Sequence, residues 1–516
     1  MTDNSTNNHW IKWAGLIAGP LLCWMTLSFL PHQFDNADGV STPFTWAGRA
    51  TLGAMIWMGV WWLTEAVDIS ATALIPIPLF PLMGVASPQD ACFPYADPLI
   101  FLYFGGFVIA LSMERWGLGR RIALLTLRAV GTSASAMIMG FMIVTAGLSA
   151  FVSNTATTAM MLPIALSVIA LVDRSAVSSS NTPHIPQAAI NRFAVCLLLA
   201  IAYSASVGGV MTIIGTPTNT FLIGFVREKI ATEYRQDFSF VGWLPIGVSF
   251  AATFLPLIYW ILTRFIFPIQ GVRLEGGKSM IDAELRSIGK VGIGEWTTLV
   301  VFLITVGLWL FRPFLTGIEI EWSGVTYQPL AKLSDTVIAM TSAMLLYLLP
   351  VNFSTRTFTM DWEQTARMPW GILFLFGGGL SLAAAVQANG VAEFIGSQTR
   401  TFSNISPLLL VLLVTTGVAL LTELTSNAAT TASLVPVLAA LAPGFGVHPY
   451  LLIFPATIAA SCAFMLPVAT PPNAIVFGSG RITMPQMVRA GIALNVVAIF
   501  LVTALTWFVI KPWLGV

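Results

Sequence analysis

Two polar clusters sit inside apolar stretches of this 516-residue chain. Ser153-Asn154-Thr155-Ala156-Thr157-Thr158 precedes Leu162-Pro163, and Ser426-Asn427-Ala428-Ala429-Thr430-Thr431 precedes Val435-Pro436. Serine supplies a hydroxyl; asparagine supplies an amide carbonyl and two N–H donors. At the turn of a helical hairpin, the first N–H groups of the second helix lack partners and attract anions. The last carbonyls of the first helix attract cations. One such tip can hold a carboxylate and a Na⁺ side by side. Downstream of each cluster lies a Thr-Pro pair, Thr216-Pro217 and Thr470-Pro471. Proline removes a donor and clashes with the preceding turn, so each pair breaks its helix. The carbonyl freed at Gly215 or Ala469 can complete a cation site, and hard oxygen ligands of this kind suit an alkali cation rather than zinc.

A lone Ser-Asn in an apolar helix is more often a helix–helix contact, and a lone Thr-Pro a kink. Here the features recur in order. The two clusters are 273 residues apart, Phe104-Gly105-Gly106 and Phe376-Gly377-Gly378 are 272 apart, and Gly215-Thr216-Pro217-Thr218-Asn219 and Ala469-Thr470-Pro471-Pro472-Asn473 are 254 apart. The shorter last offset comes mainly from a Ser-, Asn- and Pro-rich loop in the first half, at 173–192. The glycine pairs by themselves are explained by close helix packing.

The elements that carry these motifs must lie in a membrane. Hydrophobic residues make up 56% of the chain and charged residues 9%, far too few to cover a water-facing surface. Near-zero net charge argues against a nucleic-acid partner, and the four scattered cysteines form no disulfide or metal spacing. Apolar spans are predicted near 11–31, 46–63, 66–85, 97–114, 190–226, 240–268, 295–312, 333–350, 370–388, 449–480 and 486–511, each long enough for a hydrocarbon core of about 30 Å. Segments 136–172 and 406–441, about 36 residues each, would make single helices of roughly 54 Å. With polar centres, they are predicted as hairpins that enter the membrane and return. Five spans separate them, so the second copy is inverted, as in secondary transporters. With the N-terminus inside, sixteen of the 24 Lys and Arg residues fall on the inner side and eight on the outer, the expected bias. The expectation is an all-α polytopic protein of the plasma membrane with a cytoplasmic N-terminus.

No Lys or Arg lies near either tip, so an anion there depends on neutral donors, helix ends and co-bound cations. Moving a dianion into a cell against 100 mV costs roughly 4.6 kcal/mol, at about 2.3 per charge; two cations cancel this and a third makes entry favourable. Glu423, beside the second tip, could hold a proton or cation, or tie the hairpin to its neighbour. Glu65 and Asp68 read as helix caps. His9, His32, His184 and His448 lie in loops or at termini, which argues against a histidine relay.

At these residues the chain resembles the divalent anion/sodium symporter family of dicarboxylate and tricarboxylate transporters, from Trp62-Leu63-Thr64-Glu65-Ala66 through Ala469-Thr470-Pro471-Pro472-Asn473. The resemblance implies eleven spans, two re-entrant hairpins, a homodimer and an elevator mechanism. It implies a first Na⁺ site at Ser149, Ser153, Asn154 and Gly215, and a second at Thr422, Ser426, Asn427 and Ala469. It places the dicarboxylate between Ser153, Asn154, Thr155, Ser426, Asn427, Thr470 and Pro471. The scaffold and dimerisation domain would be 10–130 with 290–400, and the transport domain 132–270 with 403–516. Two positions depart from the pattern: Ala428 replaces the Thr of the second Ser-Asn-Thr, and Thr218 replaces the second Pro of the first Gly-Thr-Pro-Pro-Asn. The function expected is Na⁺-coupled import of C4-dicarboxylates of the succinate, malate and fumarate class. Alternatives are a Na⁺-independent exchanger or a citrate transporter of the same fold. An intramembrane enzyme would need a His/Glu metal set, paired Asp residues or a Ser–His pair at membrane depth, and a channel would not need two like tips.

Overall fold

The computed structural model describes residues 4–35, 40–130, 133–178, 186–269, 277–322, 325–399 and 405–516. Part of the 173–192 loop with His184, the basic residues Arg273 and Arg400, and the domain limits 132, 270 and 403 lie outside the described residues. So do the side chains of His9 and Arg174.

The chain is helical almost throughout. In the first half α1 (Asn4–Phe29), α2 (Trp46–Thr64), α3 (Ile69–Thr72), α4 (Pro76–Met83), α5 (Pro88–Cys92), α6 (Pro98–Arg115) and α7 (Leu118–Val130) come first. There follow α8 (Ala134–Ser149), α9 (Asn154–Ser178), α10 (Gln187–Val210), α11 (Pro217–Gly224) and α12 (Phe240–Trp260). The amphipathic α13 (Gly277–Ile288) leads to α14 (Ile293–Leu315), α15 (Asp335–Leu348), α16 (Trp362–Thr365), α17 (Trp370–Ala388) and α18 (Val391–Thr399). The last group is α19 (Pro407–Leu421), α20 (Asn427–Leu441), α21 (Tyr450–Ala460), α22 (Pro471–Phe477), α23 (Met484–Leu505) and α24 (Lys511–Leu514). Strands occur only as three short antiparallel hairpins in loops, among the described residues.

Local chemistry sets many of the helix starts. Ser133 accepts from Ala136 N at 3.1 Å to open α8, and Ser406 accepts from Leu409 N at 3.3 Å before Pro407 opens α19. Side-chain acceptors at these positions satisfy donors that a helix start leaves unpaired, which matters most where no water can do so. Asp68 caps α3 through Ser70 N at 2.8 Å, as expected. Glu65 does not begin a helix; it ends α2 in the left-handed region and pairs with Lys12.

The protein turns apolar side chains outward as well as inward. Trp13, Ile17 and Trp24 on α1, Leu303 and Phe311 on α14, and Val496 and Phe500 on α23 are exposed. Nine helices among the described residues are long and apolar enough to cross a membrane. At the opposite extreme, α10 is buried at every position from Phe193 to Val210. The expected spans at 190–226 and 449–480 each divide before their Thr-Pro, into α10–α11 and α21–α22.

Segments 136–172 and 406–441 each fold as two helices joined by a short turn. The leading arms α8 and α19 have 16 and 15 residues, about 22–24 Å at 1.5 Å per residue and short of a full crossing, whereas the second arms, over Asn154–Asp173 and Asn427–Phe445, are each long and apolar enough to cross. Arms α8 and α9 both pack on α10; arms α19 and α20 both pack on α21. The halves interlock: α22 packs on α9, and α11 packs on α20. Close approach explains the glycine pairs, since a Cβ at Gly105 would meet the Ala339 backbone and one at Gly378 the Ala73 carbonyl.

Ion pairs respect the two-sided grouping of basic residues. Arg121 and Glu295 form a buried bidentate pair at 2.7 and 3.1 Å joining α7 to α14, and α7 also pairs with α13 through Arg120–Glu284 and Arg128–Asp282. On the other side Arg227 and Arg312 share Asp237.

Candidate functional site

The first tip is built where α8 ends at Ser149 and α9 begins at Asn154. Ser149 Oγ lies 2.6 Å from Asn154 Oδ1 and 2.8 Å from the Ala205 carbonyl of α10. A hydroxyl carries one proton, so it can donate to only one of these two oxygens. Three oxygens therefore crowd around a single proton in a buried place. A Cβ at Gly209 would stand 2.5 Å from Asn154 Oδ1 and 3.1 Å from the Gly215 carbonyl. Both oxygens therefore lie against the same side of that glycine, which brings Ser149, Asn154 and Gly215 together. Ser153 caps α9, accepting from Ala156 N at 3.2 Å, and Thr155 beside it is exposed.

The second tip repeats the arrangement. Thr422 Oγ1 lies 2.7 Å from Asn427 Oδ1 and 2.8 Å from the Ala460 carbonyl of α21. Again two acceptors compete for one hydroxyl proton. Thr158 and Thr431 donate to the carbonyls of Asn154 and Asn427 at 2.8 and 2.9 Å, fixing each first turn alike. Ser426 begins α20 with extended backbone, and its hydroxyl does not cap the helix. The Ala469 N–H donates to the Leu466 carbonyl at 3.2 Å; among the described residues no hydrogen bond joins Ala469 to Thr422 or Asn427. Of the second expected cation set, Thr422 and Asn427 are brought together, Ser426 precedes Asn427 in the chain, and Ala469 lies in the break before α22.

The breaks themselves are near copies. Thr216 has φ −142° and ψ 145°, Thr470 φ −142° and ψ 148°. Residues that sequence reasoning left unassigned hold them open. Asn219 donates to the carbonyls of Gly209, Val210 and Thr212 at 3.3, 3.1 and 2.8 Å. Asn473 donates to those of Ala463 and Leu466 at 3.1 and 3.0 Å. At the motif offset of 254, Ala463 and Leu466 are the counterparts of Gly209 and Thr212, so both asparagines staple the same two carbonyls. Both stand at the ends of the matched motifs, which was the available signal. Thr470 caps α22 through Asn473 N at 3.3 Å, and Pro471 is exposed. The packing of α22 on α9 carries these two residues to the return arm of the first hairpin.

Glu423 takes the structural role of the two considered. Oε1 accepts from Phe464 N, Met465 N and Asn495 Nδ2 at 2.7, 3.0 and 2.6 Å. Oε2 accepts from Met465 N and Leu466 N at 3.0 and 3.2 Å. The carboxylate thereby supplies the unwound stretch with the acceptors its lost helix would have given, and ties the hairpin tip to that stretch.

The family described as the sodium:sulfate symporter transmembrane region matches residues 19–514. A sodium-dependent dicarboxylate transporter, SdcS, of Staphylococcus saprophyticus is 39% identical over 504 residues, covering 97% of this chain and 92% of its own. SdcS of Staphylococcus aureus is 37% identical with the same coverage. Among solved structures, the Alcanivorax borkumensis YdaH transporter aligns with a TM-score of 0.59 at 13% identity, over 98% of both chains. Neisseria gonorrhoeae MtrF aligns at 0.55 and 12% identity, over 96% of this chain and 94% of its own. At such identities these two speak to the fold alone.

Proposed function

Because the chain belongs to the sodium:sulfate symporter family, we propose that it is a secondary transporter that couples Na⁺ to the import of C4-dicarboxylates across the plasma membrane, with its N-terminus in the cytoplasm. The observation that carries this reading is the pair of proton-poor oxygen clusters, Ser149–Asn154–Ala205 and Thr422–Asn427–Ala460, one at each tip. A cation at each relieves the contact between oxygens that share one proton. Named sodium dependence and dicarboxylate transport in relatives 37–39% identical over nearly the full chain support it further.

In this reading one Na⁺ binds at Ser149, Ser153, Asn154 and Gly215, the other at Thr422, Ser426, Asn427 and Ala469. Each asparagine gives its carbonyl oxygen to a cation and its amide N–H to the substrate. The dicarboxylate lies between the tips, against Ser153, Asn154, Thr155, Ser426, Asn427, Thr470 and Pro471, with the two cations cancelling its charge. No enzyme chemistry is required.

Residues 132–270 and 403–516 move as one transport unit past a dimerising scaffold of 10–130 and 290–400. The packing favours this division. Within the transport unit α8, α9, α10 and α22 pack together, and α19 and α20 pack on α21; it meets the scaffold where α20 lies against α2, α17 and α18 and where α8 and α9 lie against α7. The deciding experiment is radiolabelled succinate uptake into proteoliposomes holding the purified protein. An imposed inward Na⁺ gradient should accumulate substrate; equal uptake with Na⁺ balanced or replaced by K⁺ would overturn the reading.

A further inference from the structure

We propose that the hydroxyl pair Thr218–Ser461 is the bridge through which the two cation sites sense each other; this rests on the symporter reading above. Thr218 stands where the second copy of the motif has Pro472. Proline there has neither an N–H nor a hydroxyl, whereas Thr218 has both and is fully buried. Its Oγ1 lies 2.9 Å from Ser461 Oγ and 3.4 Å from Thr216 Oγ1.

The pair joins two runs made partly of hydrogen bonds and partly of neighbouring residues in the chain. From the second tip, Asn427 Oδ1 meets Thr422 Oγ1, which meets the Ala460 carbonyl, and Ser461 is the next residue. From the first tip, Asn154 Oδ1 meets Ser149 Oγ and faces the Gly215 carbonyl across Gly209, and Gly215 adjoins Thr216. Thr218–Ser461 joins the two runs across 243 residues of sequence. A second such pair would need a hydroxyl at Pro472, the counterpart of Thr218, and proline has none. The bridge is therefore made once, and is not a by-product of the internal repeat.

Its physics is directional. Of two buried hydroxyls at this distance, one donates and the other accepts, and which one donates depends on the oxygens at either end. A cation drawn to the Gly215 carbonyl polarises the Gly215–Thr216 peptide group, and the hydrogen bonds from Thr216 through Thr218 to Ser461 pass the preference to the residue next to Ala460. Occupation of one site thereby raises the affinity of the other.

The test is the sodium dependence of succinate uptake by the full-length protein in proteoliposomes, for Thr218→Val, Thr218→Ser, Ser461→Ala and the Thr218→Val/Ser461→Ala double variant. Thr218→Val keeps the shape and removes the hydroxyl. Expected is a lower Hill slope for sodium and a half-saturating concentration raised about 5- to 10-fold, within the usual range of coupling between sites. Uptake at saturating sodium should stay near wild type. Thr218→Ser should restore the slope, and the double variant should match either single, because both remove one interaction. A purely structural role would lower the melting temperature and leave the slope untouched. If Thr218→Val is poorly folded, Ser461→Ala interrupts the same contact from a different helix. Either folded variant with wild-type slope and half-saturation would overturn the bridge while leaving the symporter standing. Wild-type uptake indifferent to sodium would remove both.

Discussion

The two halves of the molecule build the same tip on differently braced ground. In the first half α10 stays helical to Val210, six residues before Thr216; in the second α21 ends at Ala460, ten residues before Thr470. Residues 461–464 are therefore unwound where their counterparts 207–210 are helical. Earlier unwinding strands backbone donors, and Glu423 meets them with its carboxylate. Its first-half counterpart at the cluster offset of 273 is Ala150, whose carbonyl accepts from the Thr212 hydroxyl. One tip is tied down by a neutral hydrogen bond and the other by a buried anion. The tip oxygens recur in both copies, and the bracing is where they diverge.

The largest effect is expected where the halves agree. Asn154→Ala and Asn427→Ala should each abolish Na⁺-driven uptake in proteoliposomes, while size-exclusion behaviour stays that of the folded protein. Each loss removes a proposed cation ligand and leaves neighbouring buried groups unpaired, at about 1–3 kcal/mol apiece. A dianion without its neutralising cation then has no route inward. Substrate accumulation by either variant in proportion to the Na⁺ gradient would show that the tips are not equivalent halves of one site.

A smaller and unequal effect is expected where the halves differ. Glu423→Ala strands the N–H groups of Phe464, Met465 and Leu466, at roughly 1–3 kcal/mol each, and should lower the melting temperature sharply. Thr212→Val removes two hydrogen bonds, the one its hydroxyl donates to the Ala150 carbonyl and the one it accepts from Gly215 N, worth about 0.5–1.5 kcal/mol each, and should lower it less. Thermal unfolding of the two variants in one detergent measures the contrast; equal shifts would mean that the anion does not carry the second break.

Much of this was legible in the sequence because its signals are local. The polar clusters, the Thr-Pro breaks and the apolar lengths fixed where helices turn and divide, and hydroxyl-to-asparagine contacts five residues apart follow from the turn itself. The bracing was not legible. Glu423 meets its partners 41 to 72 residues away, and Thr218 meets Ser461 across 243. A buried carboxylate among apolar residues announces that acceptors are needed nearby, but only the packed chain says for which donors. Asn219 and Asn473 were visible as motif letters; their role depends on helices ending at particular residues, and boundaries are the weakest product of periodicity.

The mildest break in the comparison is at the third position of the clusters, where Thr155 in the first half faces Ala428 in the second. Thr155 is exposed and Ala428 partly so, and neither takes part in the oxygen clusters at Asn154 or Asn427. Ala428→Thr adds one hydroxyl to the proposed substrate side and leaves Thr422, Ser426 and Asn427 as they are. It should therefore redistribute preference among dicarboxylates, tricarboxylates and related anions, by about 1 kcal/mol or a several-fold change in relative uptake, the worth of one ordinary hydrogen bond. The sodium dependence should stay as steep as in wild type. Competition of unlabelled succinate, malate, fumarate and citrate against labelled succinate reads the first expectation, and a sodium titration reads the second. If the added hydroxyl flattens the sodium titration and spares selectivity, the third position belongs to the cation and the substrate lies elsewhere between the tips.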